Sequence, residues 1–136
     1  MTTMVQLYAK IFNMRFGRRV LELHGKMHQR ERTTISGRFR NISKGMLFTS
    51  DVSARGVDYP NVTHVIQIGA SESRETYIHR LGRTGRAGKR GQGLLILPEL
   101  ENEFLQDLED LEIPLDDDLQ TRLSATPSKK FSNQLG

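Results

Sequence analysis

Four short, largely apolar runs alternate along this chain with stretches whose apolar residues recur at helical spacing. The runs are "RVLELHG" from Arg19, "GMLFTSD" from Gly45, "VTHVIQIG" from Val62 and "GLLIL" from Gly93. That alternation is the pattern of an α/β fold, in which parallel strands are joined by crossover helices. Met4 to Phe16 reads as a helix with Val5, Leu7, Tyr8, Ile11 and Phe12 on its apolar side, closed by Gly17. Gln29 to Phe39 reads as a second, with Ile35 and Phe39 inward, and Thr76 to Arg83 as a third. "GMLFTSD" is expected to be a buried strand. After Pro98, "ELENEFLQDLEDL" sets Leu100, Phe104, Leu108 and Leu111 at helical steps between acids, a helix expected to pack on the rest. From Pro114 the signal fades, and "SATPSKKFSNQLG" reads as a tail or linker. At 136 residues one domain is expected.

Composition removes several classes of function. With no cysteine, disulfides, thiolate catalysis and cysteine-bound zinc are excluded. The one close histidine pair, His24 and His28, is a poor ligand set, so no metal site is expected. No run of 18 apolar residues signals a membrane span. The net charge of +4 conceals a division. Between Met14 and Arg90 there are sixteen Lys and Arg against six Asp and Glu, whereas Pro98 to Asp118 holds ten acids and no base. A basic body facing an acidic end points to a polyanionic partner, with phosphates the natural candidates.

Three stretches carry the chemistry. In "YIHRLGRTGRAGKRG", Arg80, Arg83 and Arg86 recur every three residues. On a continuous helix they would spread over an arc of about 120° and share one side. Gly82 and Gly85 argue against ordinary helix, since each costs about 1 kcal/mol relative to Ala in a helix interior; they suit close approach of a backbone or ligand. A guanidinium cluster is tolerable where anionic oxygens face it. "TSDVSARGVD" follows directly from a strand, at the carboxyl edge where open α/β sheets hold their ligands. Ser50 there suits a phosphate, and Asp58 a sugar hydroxyl. Taken alone, "ARGVD" could equally be a loop with an internal ion pair. "HGKMHQRER" ends another strand and opens a helix with Gln29 and Arg32 three apart.

Together, "SDVSARGVD" and "YIHRLGRTGR" closely resemble motifs V and VI of the DEAD-box ATP-dependent RNA helicases of superfamily 2. Gln29 with Arg32 resembles their QxxR element. The resemblance runs from His24 to about Leu97. It implies a RecA-like parallel sheet with helices on both faces, the second of two such domains in these enzymes, spanning 1–118 here with a tail at 119–136. It implies that Arg83 and Arg86 meet the γ-phosphate of ATP, that Gly56 and Asp58 lie at the nucleotide, and that His79 and Arg80 join the interdomain cleft to the other domain. Gln29, Arg32 and Ser50 fall where the family meets the RNA backbone. The expected partners are RNA, ATP with Mg²⁺, and an N-terminal RecA-like domain that would hold the Mg²⁺. A monomer is expected.

The chain departs from the pattern in three ways. It has no GxxxxGK[ST] phosphate loop and no Asp-Glu-Ala-Asp cluster, so it is expected not to hydrolyse ATP alone. Met1 lies almost at the first helix, so the strand carrying motif IV is expected to be lacking. Ser50 and Ser53 stand where Thr and Ala are common. The alternative is a non-catalytic module binding RNA or protein through its basic surface. A DNA helicase or DEAH-type relative is a nearer rival, but His79 at the head of motif VI favours the DEAD-box reading. "VIQIG" and "ETYIHRLGRTGRAGKRGQG" look nearest to the mitochondrial intron-splicing and plant branch, which places the protein inside the cell and favours mitochondria over nucleus or cytoplasm.

Overall fold

The computed structural model describes residues 2–16, 20–51 and 58–125. In chain order these form α1 (Thr2–Phe16), β1 (Val20–Leu23), α2 (Gln29–Asn41), β2 (Met46–Thr49), β3 (His64–Ile68), α3 (Arg74–Leu81), β4 (Gln92–Ile96), a 3₁₀ helix (Glu99–Leu111) and α4 (Asp117–Ala125). The four strands fall on the four apolar runs. Gly17, read as closing the first helix, lies outside the described residues.

The strands pair as β1 with β2 and β3 with β4, both parallel. Val20 sits opposite Met46 and Leu23 opposite Thr49; His64 sits opposite Gln92 and Ile68 opposite Ile96. Among the described residues no ladder joins the two pairs. That split explains one difference from expectation. "GMLFTSD" is not a buried strand: Met46 and Thr49 are exposed and Leu47 and Phe48 half-buried, because the free edge of β2 has no described neighbour. On β3, likewise, Ile66 and Ile68 stay 59% and 46% exposed.

Each pair carries its own apolar packing. Val5 and Ala9 of α1 are buried together with Val20, Leu21 and Leu23 of β1. Phe48 of β2 meets the ring of Tyr8 at 6.1 Å, stacked, and that of Phe12 at 5.2 Å, edge-on. Asn13 Oδ1 accepts from the Val20 N–H at 2.9 Å, fixing where β1 starts beneath α1. On α2, Phe39 packs edge-on against Tyr59 at 5.1 Å, and the Tyr59 hydroxyl donates to Ser36 Oγ at 3.1 Å. The second cluster is Tyr77, Phe104 and Leu108, flanked by Ile78, Leu81, Leu95 and Leu111. Leu100, expected in this cluster, is instead 97% exposed. It stands in the first turn of a 3₁₀ helix, whose three-residue turn breaks the four-residue spacing on which that expectation rested.

Local chemistry starts and stops the third helix. Ser73 Oγ accepts from the Thr76 N–H at 3.2 Å, so Ser73 caps α3. Ser73→Ala should lower unfolding stability by about 1 kcal/mol in urea titration. At the other end Gly82 closes α3, its N–H donating to Ile78 O at 2.8 Å.

Arg74 of α3 makes a two-point ion pair with Asp110 of the 3₁₀ helix. Its hydrogen bonds, and then its charge, hold the Asp110 carboxyl below the ordinary range. A carboxylate lowered in this way adds stability above its unfolded value, and loses it as pH falls through its folded one. Arg74→Ala should therefore move the Asp110 midpoint upward in an NMR pH titration.

Candidate functional site

Parallel strands deliver their carboxyl ends to one edge, and His24, Gln29, Arg32 and Ser50 follow the ends of β1 and β2, whereas the arginine stretch leaves the end of α3 and runs into β4. β1 runs through His24 into the first turn of α2, which opens with Gln29 and Arg32. Arg32 Nη2 donates to Gln29 Oε1, so the two are joined across one helical turn, while Arg32 Nε has no partner and is shielded from water. Thr33 and Thr34 return their hydroxyls to the Gln29 and Arg30 carbonyls at 3.0 Å. Ser50 follows β2, its N–H donating to Leu23 O at 3.3 Å, with its side chain buried and its Oγ without a partner among the described residues.

The three arginines do not share one helical side. α3 stops at Leu81, so Arg80 lies in its last turn and Arg83 and Arg86 in the turn that follows. That turn needs its glycines for backbone reasons. Gly85 and Gly88 have φ of 69° and 73°, in the left-handed region that glycine enters without strain. At Gly91 a Cβ would collide with the Thr84 side chain and the Gly85 backbone N. The turn is held to the neighbouring loop by Thr84 Oγ1, which donates to Val62 O at 2.6 Å, and by Lys89, whose Nζ donates to Asn61 Oδ1 at 2.7 Å.

Arg80 reaches across to Asp51, just past β2. Its Nε donates to Oδ1 at 2.5 Å and its Nη2 bonds Oδ2, with both side chains largely shielded (17% and 24% exposed). Arg86 folds back, its Nε donating to Gly82 O at 2.7 Å and its Nη1 to Asp58 Oδ1 at 2.5 Å. This pair stays open to solvent, with Arg86 36% and Asp58 65% exposed. Asp58 and Arg86 are thus brought together from 28 residues apart. Arg83 is half-buried in the turn, its N–H donating to Arg80 O at 3.1 Å, and His79 is exposed on α3. Gly56 lies outside the described residues.

Sequence reasoning gave no role to Asp51 or to the buried His24. A carboxylate directly after a strand, in a chain with arginines to place, is the signal that marks Asp51. For His24, only its place at the strand end could have served. Among the described residues no three His, Asp or Glu side chains gather as a metal site, and no helix is long and apolar enough to cross a membrane. A hollow lined by Gln6, Asn13, Glu22 and Arg38 lies beside β1, and none of the arginine-turn residues lines it.

Residues 1–88 match the helicase conserved C-terminal domain, and the chain belongs to that family. Within it the chain is of the DEAD-box RNA helicase type, with the RecA-like fold of their C-terminal domains. It is 58% identical over 94 residues to DEAD-box ATP-dependent RNA helicase 31 of Arabidopsis thaliana, covering 69% of this chain and 13% of the relative. It is 56% identical over 80 residues to the mitochondrial ATP-dependent RNA helicase cyt-19 of Neurospora crassa, covering 59% of this chain and 13% of the relative. It therefore spans about an eighth of the length of these relatives. Among solved structures, Mss116p DEAD-box helicase domain 2 bound to an RNA duplex matches with a TM-score of 0.75 and 33% identity, over 95% of this chain and 55% of that one.

Proposed function

We propose that this chain is the cation-bearing second lobe of an ATP-dependent RNA helicase, and that it remodels RNA only when a phosphate-loop lobe closes against it. The observation that carries this reading is the meeting of Asp58 and Arg86 on an open surface, from two separate stretches. In this reading Arg83 and Arg86 neutralise charge developing on the transferred phosphoryl oxygens, and Asp58, with the backbone near Gly56, holds the nucleoside end. The Arg86–Asp58 pair does not oppose it, because an exposed ion pair is worth about 0–1 kcal/mol and is readily exchanged for phosphate. Mg²⁺ would supply further charge neutralisation from carboxylates of the other lobe.

Gln29, Arg32 and Ser50 grip the RNA backbone at the carboxyl ends of β1 and β2. Such contacts position the strand without reading its sequence. The solved relative in which a second domain is bound to an RNA duplex supports RNA contact by this lobe. Coupling then follows from closure: ATP binding favours the shut form, and a shut form that accepts only a bent strand opens a duplex locally. His79 and Arg80, beside the arginine turn, tie the cleft to that movement. The domain runs over 1–118, with a tail beyond. It works as a monomer inside the cell, with mitochondria favoured by the likeness to cyt-19.

Two measurements test this. The chain alone should bind a short RNA duplex in fluorescence anisotropy and show no ATP hydrolysis. Joined to the N-terminal lobe of a DEAD-box relative, it should hydrolyse ATP in response to RNA. RNA binding with no hydrolysis in the joined form would favour the non-catalytic module instead.

A further inference from the structure

His24 and Ser50 stand side by side at the ends of β1 and β2. The ladder ends with Leu23 opposite Thr49, and the Ser50 N–H still donates to Leu23 O at 3.3 Å, so the next residues along, His24 and Ser50, are lateral neighbours. Parallel strands lie about 4.8 Å apart, and alternation puts both side chains on the sheet face shared with Glu22 and Phe48. Both are more than nine-tenths buried, at 4% and 7% exposed. Among the described residues neither His24 Nδ1 nor Ser50 Oγ has a hydrogen-bond partner, so the two do not bond each other in this structure, and both atoms are closed to solvent. Buried polar groups are seldom left unbonded, and two adjacent ones at the edge where a ligand is expected call for a reason.

The surroundings favour an anion. Tyr8 and Phe12 lie over Phe48 while Asn13 meets Val20, the first residue of β1, so α1 runs antiparallel to the strands and turns its amino end, free of acids in its first turn, toward this edge. Arg32, with its unpartnered Nε, opens α2 on the same edge. Of the acids nearest along the chain, Asp51 is occupied by Arg80, while Glu22 lies on the same face two residues back along β1.

We propose that His24 is a positioning residue for Ser50: with its proton on Nδ1 it donates to Ser50 Oγ, freeing the hydroxyl proton for a phosphodiester oxygen of bound RNA. A hydroxyl has one proton and two lone pairs, so a donor behind it aims that proton forward, whereas an acceptor there would take it away. The same arrangement gives both buried atoms a partner once RNA is in place. The inference rests on the RNA reading above, and it adds a residue to which that reading gives no role.

The test is a double-mutant cycle on the whole chain with a short RNA duplex, read by fluorescence anisotropy, with thermal melts confirming that each variant folds. Ser50→Ala should weaken binding about tenfold, the loss of a hydrogen bond to a charged group. His24→Gln, whose amide falls at the Nε2 position, should cost about the same, whereas His24→Asn, whose amide falls at Nδ1, should bind within about twofold of the unsubstituted chain. In a Ser50→Ala background His24→Gln should cost nothing further. A full tenfold cost there, or none with Ser50 present, overturns the proposal alone. Failure of the unsubstituted chain to bind RNA overturns the RNA reading and the proposal with it. Should the His24 variants not fold, ¹⁵N NMR of the unsubstituted chain decides: RNA must bring the Nδ1-protonated signature, and its absence overturns the proposal.

Discussion

Arg83→Ala and Arg86→Ala, each placed in an enzyme joining this domain to a phosphate-loop lobe, should lower RNA-stimulated ATP turnover about 10³-fold. That is the lower end of what an arginine finger contributes to phosphoryl transfer. The loss should fall on kcat, because the guanidinium meets charge that grows only as the phosphoryl group leaves. Folding should hardly change at position 86, where the pair with Asp58 is exposed and worth under about 1 kcal/mol. Asp58→Ala is the contrasting variant: it should raise KM for ATP and leave kcat nearly intact, since a sugar contact is made equally in ground and transition states. Lysine at 86 should recover little, because Arg86 can keep Nε on Gly82 O while its terminal nitrogens leave Asp58 for phosphate, and a single ammonium cannot serve both points. Turnover within threefold of the parent in Arg86→Ala would end its assignment as a finger.

The strands and the helices before Pro114 were legible because their signals are local, whereas α4 lies in the stretch where the sequence signal fades. Short apolar runs and helical spacing need no knowledge of neighbours, and all four strands fell where the sequence put them. What was not legible depends on partners distant in the chain. "GMLFTSD" has the composition of a buried strand, but burial is a property of the sheet, and β2 has a free edge here. Leu100 fits a four-residue spacing that the 3₁₀ helix does not keep. The arginine stretch was legible in chemistry and misleading in geometry: a three-residue repeat suggests one helical side, yet Gly82 ends the helix and Gly85 turns left-handed, so only Arg80 is helical. The carboxylates that hold Arg80 and Arg86 come from 29 and 28 residues away, separations that no local pattern encodes.

The Arg80–Asp51 pair is the place where stability and coupling can be separated. No described ladder joins β1–β2 to β3–β4, and this pair ties the last turn of α3 to the end of β2, across that division. Asp51→Ala leaves a guanidinium only 17% exposed without its carboxylate. Breaking a fully buried pair costs about 3–5 kcal/mol; with a quarter of the Asp51 side chain exposed, a loss of about 2 kcal/mol is expected, seen as a drop of about 5–10 °C in Tm. Added salt should change that difference little, because a shielded pair is poorly screened. Adding Arg80→Met to Asp51→Ala should restore most of the loss, since both charges are then gone and an apolar side chain of similar length fills the space. In the joined enzyme, however, the double variant should keep its basal ATP hydrolysis and lose the stimulation by RNA, because the tie between the end of β2, where RNA contact is proposed, and the arginine turn has been cut. If Asp51→Ala melts within a degree of the parent, the pair is not a tie; if the double variant is stable and still fully stimulated by RNA, the coupling runs through other contacts.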